Sequence, residues 1–325
     1  MRPIIYTLTT LLLALLAAGC ETLAPIPTPT RVVIVVTAEP TLTPLPTATP
    51  TATRLPTLTP TPLATPTATI IPCVAEGGQL LEFDDFRSES TGERLTYSVY
   101  APPCYIETQK RYPVVLLMPG LAGEGDWIDL GIVELLNDGI RRGELPPMLV
   151  VMPPLGSIGT DNTFPPADSY ETVIMDELLP AIQRDFCTID DRQQRAIGGI
   201  SRGGFWAYSI AMRHPDVFGI VGGHSAFFDP DNAPEENNPL DLALDTSLLT
   251  DADLRMYIDN AAIDFVGSNL ELFSSRLSAR GIPHTYIINP VGDHNDEYWG
   301  SHLNEYLAFY GRDWARDAAD LPGCA

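Results

Sequence analysis

Positive charge is scarce in this chain. Its 325 residues carry 19 lysines and arginines against 42 aspartates and glutamates, a formal net charge of −23. Before Cys73 stand only Arg2, Arg31 and Arg54 against Glu21 and Glu39, so the remainder is more acidic still. That balance argues against nucleic acid or an anionic lipid surface as a partner. Histidine is also scarce, with five residues. No Cys-x-x-Cys pair and no Cys/His metal spacing occurs, which removes the usual zinc patterns. The longest apolar run, Ile4 to Ala18, falls short of the ~20 residues that a membrane-spanning helix needs.

That run instead has the layout of a secretory signal. It follows Met1-Arg2-Pro3 and ends at Gly19-Cys20. Leu15-Leu16-Ala17-Ala18-Gly19-Cys20 resembles a bacterial lipobox, with Ala17 where a branched aliphatic is usual, and predicts lipidation of Cys20. The expected location is extracytoplasmic, with the chain anchored to a bacterial membrane by lipid alone. Residues 21–72 alternate threonine with proline and read as a disordered stalk open to O-glycosylation. Val32 to Val36 is a brief apolar interruption, read as linker, with a pairing strand as the alternative. Residues 73–325 form one domain, large enough for a full core. Four cysteines remain after Cys20, an even number in an exported domain. A hairpin formed by the first two strands favours Cys73–Cys104, and Cys187–Cys324 follows by elimination.

Within the domain, Gln79 to Phe86 and Arg94 to Ala101 read as an antiparallel hairpin around Ser90-Thr91-Gly92. Val114 to Met118 and Met148 to Met152 are unbroken apolar runs, typical of buried strands. Ile128 to Arg142 reads as helix, and Tyr170 to Phe186 has apolar residues at helical spacing. Further strands are expected at 194–198, 218–222, 255–258 and 284–288, and further helices at 205–212, 265–280 and 297–310. Strands alternating with helices imply an α/β fold: a mainly parallel central sheet with helices on both faces and an N-terminal antiparallel hairpin.

The most specific signal is Gly199-Ile200-Ser201-Arg202-Gly203, a G-x-S-x-G run between an expected strand and an expected helix. A serine held in that sharp turn stands clear of the sheet as a nucleophile. It needs a base, and the base needs a carboxylate to hold its tautomer and stabilise the imidazolium. In elbow enzymes the chain order is serine, acid, histidine. His214 ends the elbow helix, His224 precedes the acid segment, His284 starts the last strand and His302 lies inside the last helix. His294, in the loop just past the last strand, is left as the base. For the acid, Asp264 is preferred and Asp259 stands second, since both follow the same strand. Asp264 is equally suited to capping the next helix. The backbone N–H groups of Arg202 and Leu121 are the candidate oxyanion donors.

These segments carry a family resemblance. Val99 to Tyr105, Tyr112 to Gly120, Gly199 to Gly204, and Gly292-Asp293-His294 with Trp299 resemble the Putative esterase family of alpha/beta hydrolases. That family includes esterase D, feruloyl esterase domains, enterochelin esterase and the mycolyltransferases. Where it usually has His-Gly, this chain has Pro119-Gly120. The resemblance implies an alpha/beta-hydrolase fold and a serine esterase with the triad Ser201, Asp264 and His294. It places Trp127 and Trp299 where such enzymes often line the substrate pocket, with core or rim packing as the equal alternative. The expected substrate is a small-molecule or polysaccharide ester, with no cofactor and no metal. The alternatives are an acyltransferase to a sugar or wall acceptor, and a surface binding protein that kept the fold and lost the activity.

Overall fold

The computed structural model describes residues 30–36, 72–123 and 125–324. Cys20, its leader and most of the Thr/Pro-rich segment lie outside the described residues. Among the described residues no helix is long and apolar enough to cross a membrane.

Nine strands make one sheet: β1 Val32–Val36, β2 Gln79–Arg87, β3 Arg94–Ala101, β4 Val114–Met118, β5 Leu149–Met152, β6 Arg195–Ile200, β7 Ile220–His224, β8 Arg255–Ala261 and β9 His284–Asn289. Their order is β1-β9-β8-β7-β6-β4-β5-β3-β2. Strands β4 to β9 run parallel, while β1, β2 and β3 pair antiparallel. This is the alpha/beta-hydrolase architecture expected from the sequence.

Five main helices cover the sheet: α1 Ile132–Arg141, α2 over 170–185, α3 Arg202–Arg213, α4 Gly267–Ala279 and α5 Asp296–Tyr310. A π-helical stretch, Val173–Leu178, interrupts α2. The pleat alternates side chains between faces. Val114, Leu116 and Met118 of β4 join α2, α3 and α4 in one core, where Ile174, Trp206 and Phe273 are buried. Val115 and Leu117 face the other core, built on α1 and α5 with Leu136, Trp299 and Tyr306. Every residue of β4, β5, β6 and β7 is buried; β4 and β5 are unbroken apolar runs, while β6 and β7 bury Arg195 and His224 as well.

The segment Val32–Val36, read as linker, is a strand. It pairs residue for residue with β9, from Val32 opposite Ile288 to Val36 opposite His284. Arg31 adds an ion pair to Glu305 of α5. Five apolar β-branched residues suit an edge position that still offers β9 a row of donors and acceptors. The continuous stalk read over 21–72 is therefore broken at this point.

Two disulfides close the fold, Cys73–Cys104 and Cys187–Cys324, with Cα separations of 5.1 Å and 5.6 Å. They join the pairs expected from the sequence. The first links the short helix Pro72–Glu76 to the end of the hairpin, and the second ties the C-terminus beside β4.

The chain runs from β4 outward to β5, then returns to β6 on the other side of β4. Loops leaving β4 and β6 diverge at that switch point, the place where open α/β sheets bind ligands. The loop Pro119 to Gly123 and the turn at Ser201 both stand there.

Candidate active site

Ser201 joins β6 to α3 with φ 52° and ψ −115°. That conformation is costly for a residue with a Cβ and persists only where the surroundings hold it. Its N–H donates to the His224 carbonyl (3.0 Å), and its own carbonyl accepts from Phe205 N–H (3.1 Å) and Phe227 N–H (2.9 Å). Gly203 lets the turn press on β4: a Cβ there would sit 2.4 Å and 2.5 Å from the Met118 and Pro119 carbonyl oxygens.

His294 lies in the loop between β9 and α5. Its Nε2 is 2.9 Å from Ser201 Oγ and its Nδ1 is 2.9 Å from Asp264 Oδ1. An ionised carboxylate only accepts, so Nδ1–H donates to Asp264 and Nε2 is free to accept from the serine hydroxyl. Asp264 Oδ1 also accepts from Val266 N–H (3.1 Å) at the start of α4. The capping reading and the acid reading thus describe one oxygen with two donors.

Asp259, the second candidate acid, points away. It is fully buried, and its Oδ1 accepts from His224 Nδ1–H at 2.8 Å. Its Oδ2 accepts from the hydroxyls of Tyr298 (2.6 Å) and Tyr306 (3.0 Å). The other histidines are engaged elsewhere: His214 with Glu171, His284 with Ser274, and His302 with the Tyr298 carbonyl. Burial pushes His224 below its ordinary pKa despite the opposing pull of Asp259. It is therefore neutral, with Tyr310 OH donating to its Nε2 (2.9 Å).

Arg202 opens α3, so its N–H is one of the free donors at a helix N-terminus. Its side chain is buried over the rings of Phe205 and Trp206 and donates to the carbonyls of Gly159 and Asp161 and to Asn162 Oδ1. Burial lowers its pKa to about 10, which leaves it charged at neutral pH. Among the described residues no carboxylate forms an ion pair with it, although the charge of Asp161 favours its cationic form. Leu121 begins a 3-10 turn over Leu121–Gly123, directly after β4.

Of the two readings open for the tryptophans, pocket wall or packing, Trp299 takes the packing place and Trp127 combines both. Trp299 is fully buried; its indole N–H donates to Ser225 Oγ (3.0 Å) and its ring meets the edge of His294 at 5.0 Å. It backs the imidazole because the first turn of α5 points inward there. Trp127 is nearly buried and donates to the Met118 carbonyl. It forms part of a cleft of about 250 Å³ with Pro119, Met152, Thr96 and Glu82.

The sequence reading missed an apolar rim. Leu121, Ile263, Phe265 and Val291 are 40%, 74%, 66% and 71% exposed, and they come from the loops after β4, β8 and β9. Phe265 lies 4.5 Å from the His294 ring, centre to centre. The available signal was apolar residues inside loops that otherwise read as polar and catalytic.

Comparison with known proteins follows the same line. The chain is 37% identical over 150 residues to an endo-1,4-beta-xylanase/feruloyl esterase of Xylanibacter ruminicola, a match covering 42% of this chain and 20% of the relative. The chain spans between 20% and 31% of the length of the first curated relatives it matches. A ferulic acid esterase structure superposes with a TM-score of 0.64 at 25% identity, covering 72% of this chain and 97% of that one. An S-formylglutathione hydrolase from Agrobacterium tumefaciens shares the fold, with a TM-score of 0.61 at 20% identity over 74% of this chain and 96% of that one. The profile of the Putative esterase family matches residues 88–310, well over half of the chain, and the protein accordingly belongs to that family.

Proposed function

We propose that this esterase works through an acyl-enzyme on Ser201, with His294 as general base and Asp264 as its partner. The observation that carries the reading is the unbroken chain from Ser201 Oγ to His294 Nε2 and from His294 Nδ1 to Asp264 Oδ1. As Ser201 Oγ adds to the ester carbonyl carbon, its proton passes to His294 Nε2. The imidazolium so formed faces the Asp264 carboxylate, which stabilises it. The carbonyl oxygen becomes an oxyanion and accepts from the N–H groups of Arg202 and Leu121. His294 then returns its proton to the leaving alkoxide. A water molecule repeats the sequence on the acyl-enzyme and releases the acid.

The exposed apolar rim supports a substrate with an apolar acyl or aryl part. The net charge of −23 disfavours an anionic one. Esters of polysaccharides and of small alcohols both fit. The leader ending at Cys20 supports export and lipid anchoring, and two disulfides suit an oxidising compartment.

The test is covalent labelling and turnover. A fluorophosphonate should label Ser201 alone, and Ser201→Ala should abolish both labelling and hydrolysis. Across p-nitrophenyl and hydroxycinnamoyl esters, kcat/KM should rise with apolar acyl area. Labelling at another serine, or activity in Ser201→Ala, overturns the assignment.

A further inference from the structure

We infer that Asp259, the carboxylate that does not touch His294, is a positioning residue for it, acting through Tyr298. This inference rests on the reading of His294 as the base.

The link begins at the loop that carries His294. Tyr298 stands in the first turn of α5, four residues on. A Cβ at Gly292 would lie 2.4 Å from Tyr298 Cδ2, and Gly292 holds φ 119°. The loop backbone therefore lies directly on the Tyr298 ring. Asn295, the next residue after His294, accepts from Tyr298 N–H (3.0 Å) and closes the same turn. The position of this ring sets the height of the loop.

The ring is fixed at its far end. Tyr298 OH donates to Asp259 Oδ2 (2.6 Å) and accepts from Asn289 Nδ2 (2.8 Å). Asp259 reaches the site by a second route. Its backbone carbonyl accepts from Ser225 N–H (2.8 Å), and Ser225 is held at φ 49°. There Ser225 Oγ accepts from the Trp299 indole that backs the His294 ring. A third route runs to the nucleophile. Asp259 Oδ1 accepts from His224 Nδ1–H, and the His224 carbonyl accepts from Ser201 N–H. One fully buried residue thus ties together three parts of the site: its carboxylate reaches the base loop and the serine turn, and its backbone carbonyl holds Ser225 behind the base.

A carboxylate is suited to this place. Three donors, from His224, Tyr298 and Tyr306, converge on its two oxygens. An ionised carboxylate accepts all three, which offsets the cost of burying its charge. An amide would turn an N–H₂ toward at least one donor and leave it unpaired. Transfer between Ser201 and His294 needs their geometry held closely, since a shift of about 1 Å costs about a hundredfold in rate.

The experiment measures kcat and KM per phosphonate-titrated serine, with melting temperatures, for Tyr298→Phe, Asp259→Asn, Tyr306→Phe and His294→Ala. Tyr298→Phe keeps the ring and loses only the anchor. It should lower kcat about tenfold with KM within twofold, and Asp259→Asn should lose at least as much with the same split. Tyr306→Phe removes a hydroxyl from the same carboxylate but does not underlie the loop; it should lower Tm with kcat within twofold. Wild-type kcat in Tyr298→Phe, whatever its Tm, overturns the inference. So does an equal loss in Tyr306→Phe, because the route would then not run through Tyr298. If Asp259→Asn does not fold, Tyr298→Phe decides alone. Full activity in His294→Ala would instead defeat the assignment of the base.

Discussion

At the scale of single residues, Asp264 does two jobs with one oxygen, and the two can be separated. Oδ1 accepts both from His294 and from Val266 N–H at the start of α4. Asparagine caps helices about as well as aspartate, so Asp264→Asn should leave the cap nearly intact. It cannot fix the imidazole tautomer or face an imidazolium with negative charge. The expected result is a fall in kcat on the order of a thousandfold or more, with Tm within a few degrees of the parent. The loss of even a whole cap is about 1 kcal/mol and cannot imitate an effect of that size. Turnover near the parental rate in Asp264→Asn would remove it from the triad. The sequence ranked Asp264 above Asp259 on loop position alone, because both stood beyond the expected strand 255–258; the observed β8 runs on to Ala261 and takes in Asp259. Asp259, on the strand itself, turns into the helix α5 packed against it, whereas Asp264, beyond the strand, reaches the loop.

At the scale of elements, β1 is the informative case. The domain strands were legible because central parallel strands are buried on both faces and read as unbroken apolar runs. Ser201 was legible because the elbow is built from covalent neighbours. Val32–Val36 is equally apolar, but its partner, β9, lies some 250 residues away, and pairing at that distance leaves no local trace. The buried tyrosine network was hidden for a related reason. Periodicity places Tyr298 and Tyr306 on the inner face of a helix without saying where their hydroxyls end. β1 lies at one edge of the sheet and β2 at the other. Proline at both Val33 and Ile34 removes a ladder donor whichever of the two faces β9. Each ladder bond lost should cost about 1 kcal/mol, or about 2–4 °C in Tm for a domain of this size. Hydrogen exchange should quicken at the β9 amides facing β1, with kcat within twofold of the parent. Unchanged protection along β9 would mean that the strand is not paired in solution.

At the scale of the whole molecule, two buried histidines set how stability depends on pH. His224 and His284 both have pKa values below the ordinary 6.5, with burial as the leading cause. Each is built into the fold as a neutral ring: His224 donates to Asp259 and accepts from Tyr310, while His284 donates to the Ile282 carbonyl and accepts from Ser274. The unfolded chain takes up protons as pH falls through about 6.5, and the native protein does not until a lower pH. Stability therefore rises with pH through that window and levels off above it. The slope is at most about 1.4 kcal/mol per pH unit for each histidine. The net charge of −23 pulls the other way, since protonating carboxylates relieves repulsion. Ordinary carboxylates titrate near pH 4, however, so between pH 5 and 7 their charge changes little and the histidines govern. Urea unfolding of the parent should show stability climbing from pH 5 to about 7 and flat from there to 8. His284→Gln keeps a polar side chain without a proton to gain, and it should reduce the slope by up to half while leaving kcat unchanged. Stability that rises as pH falls from 7 to 5 would show that charge repulsion outweighs the buried rings.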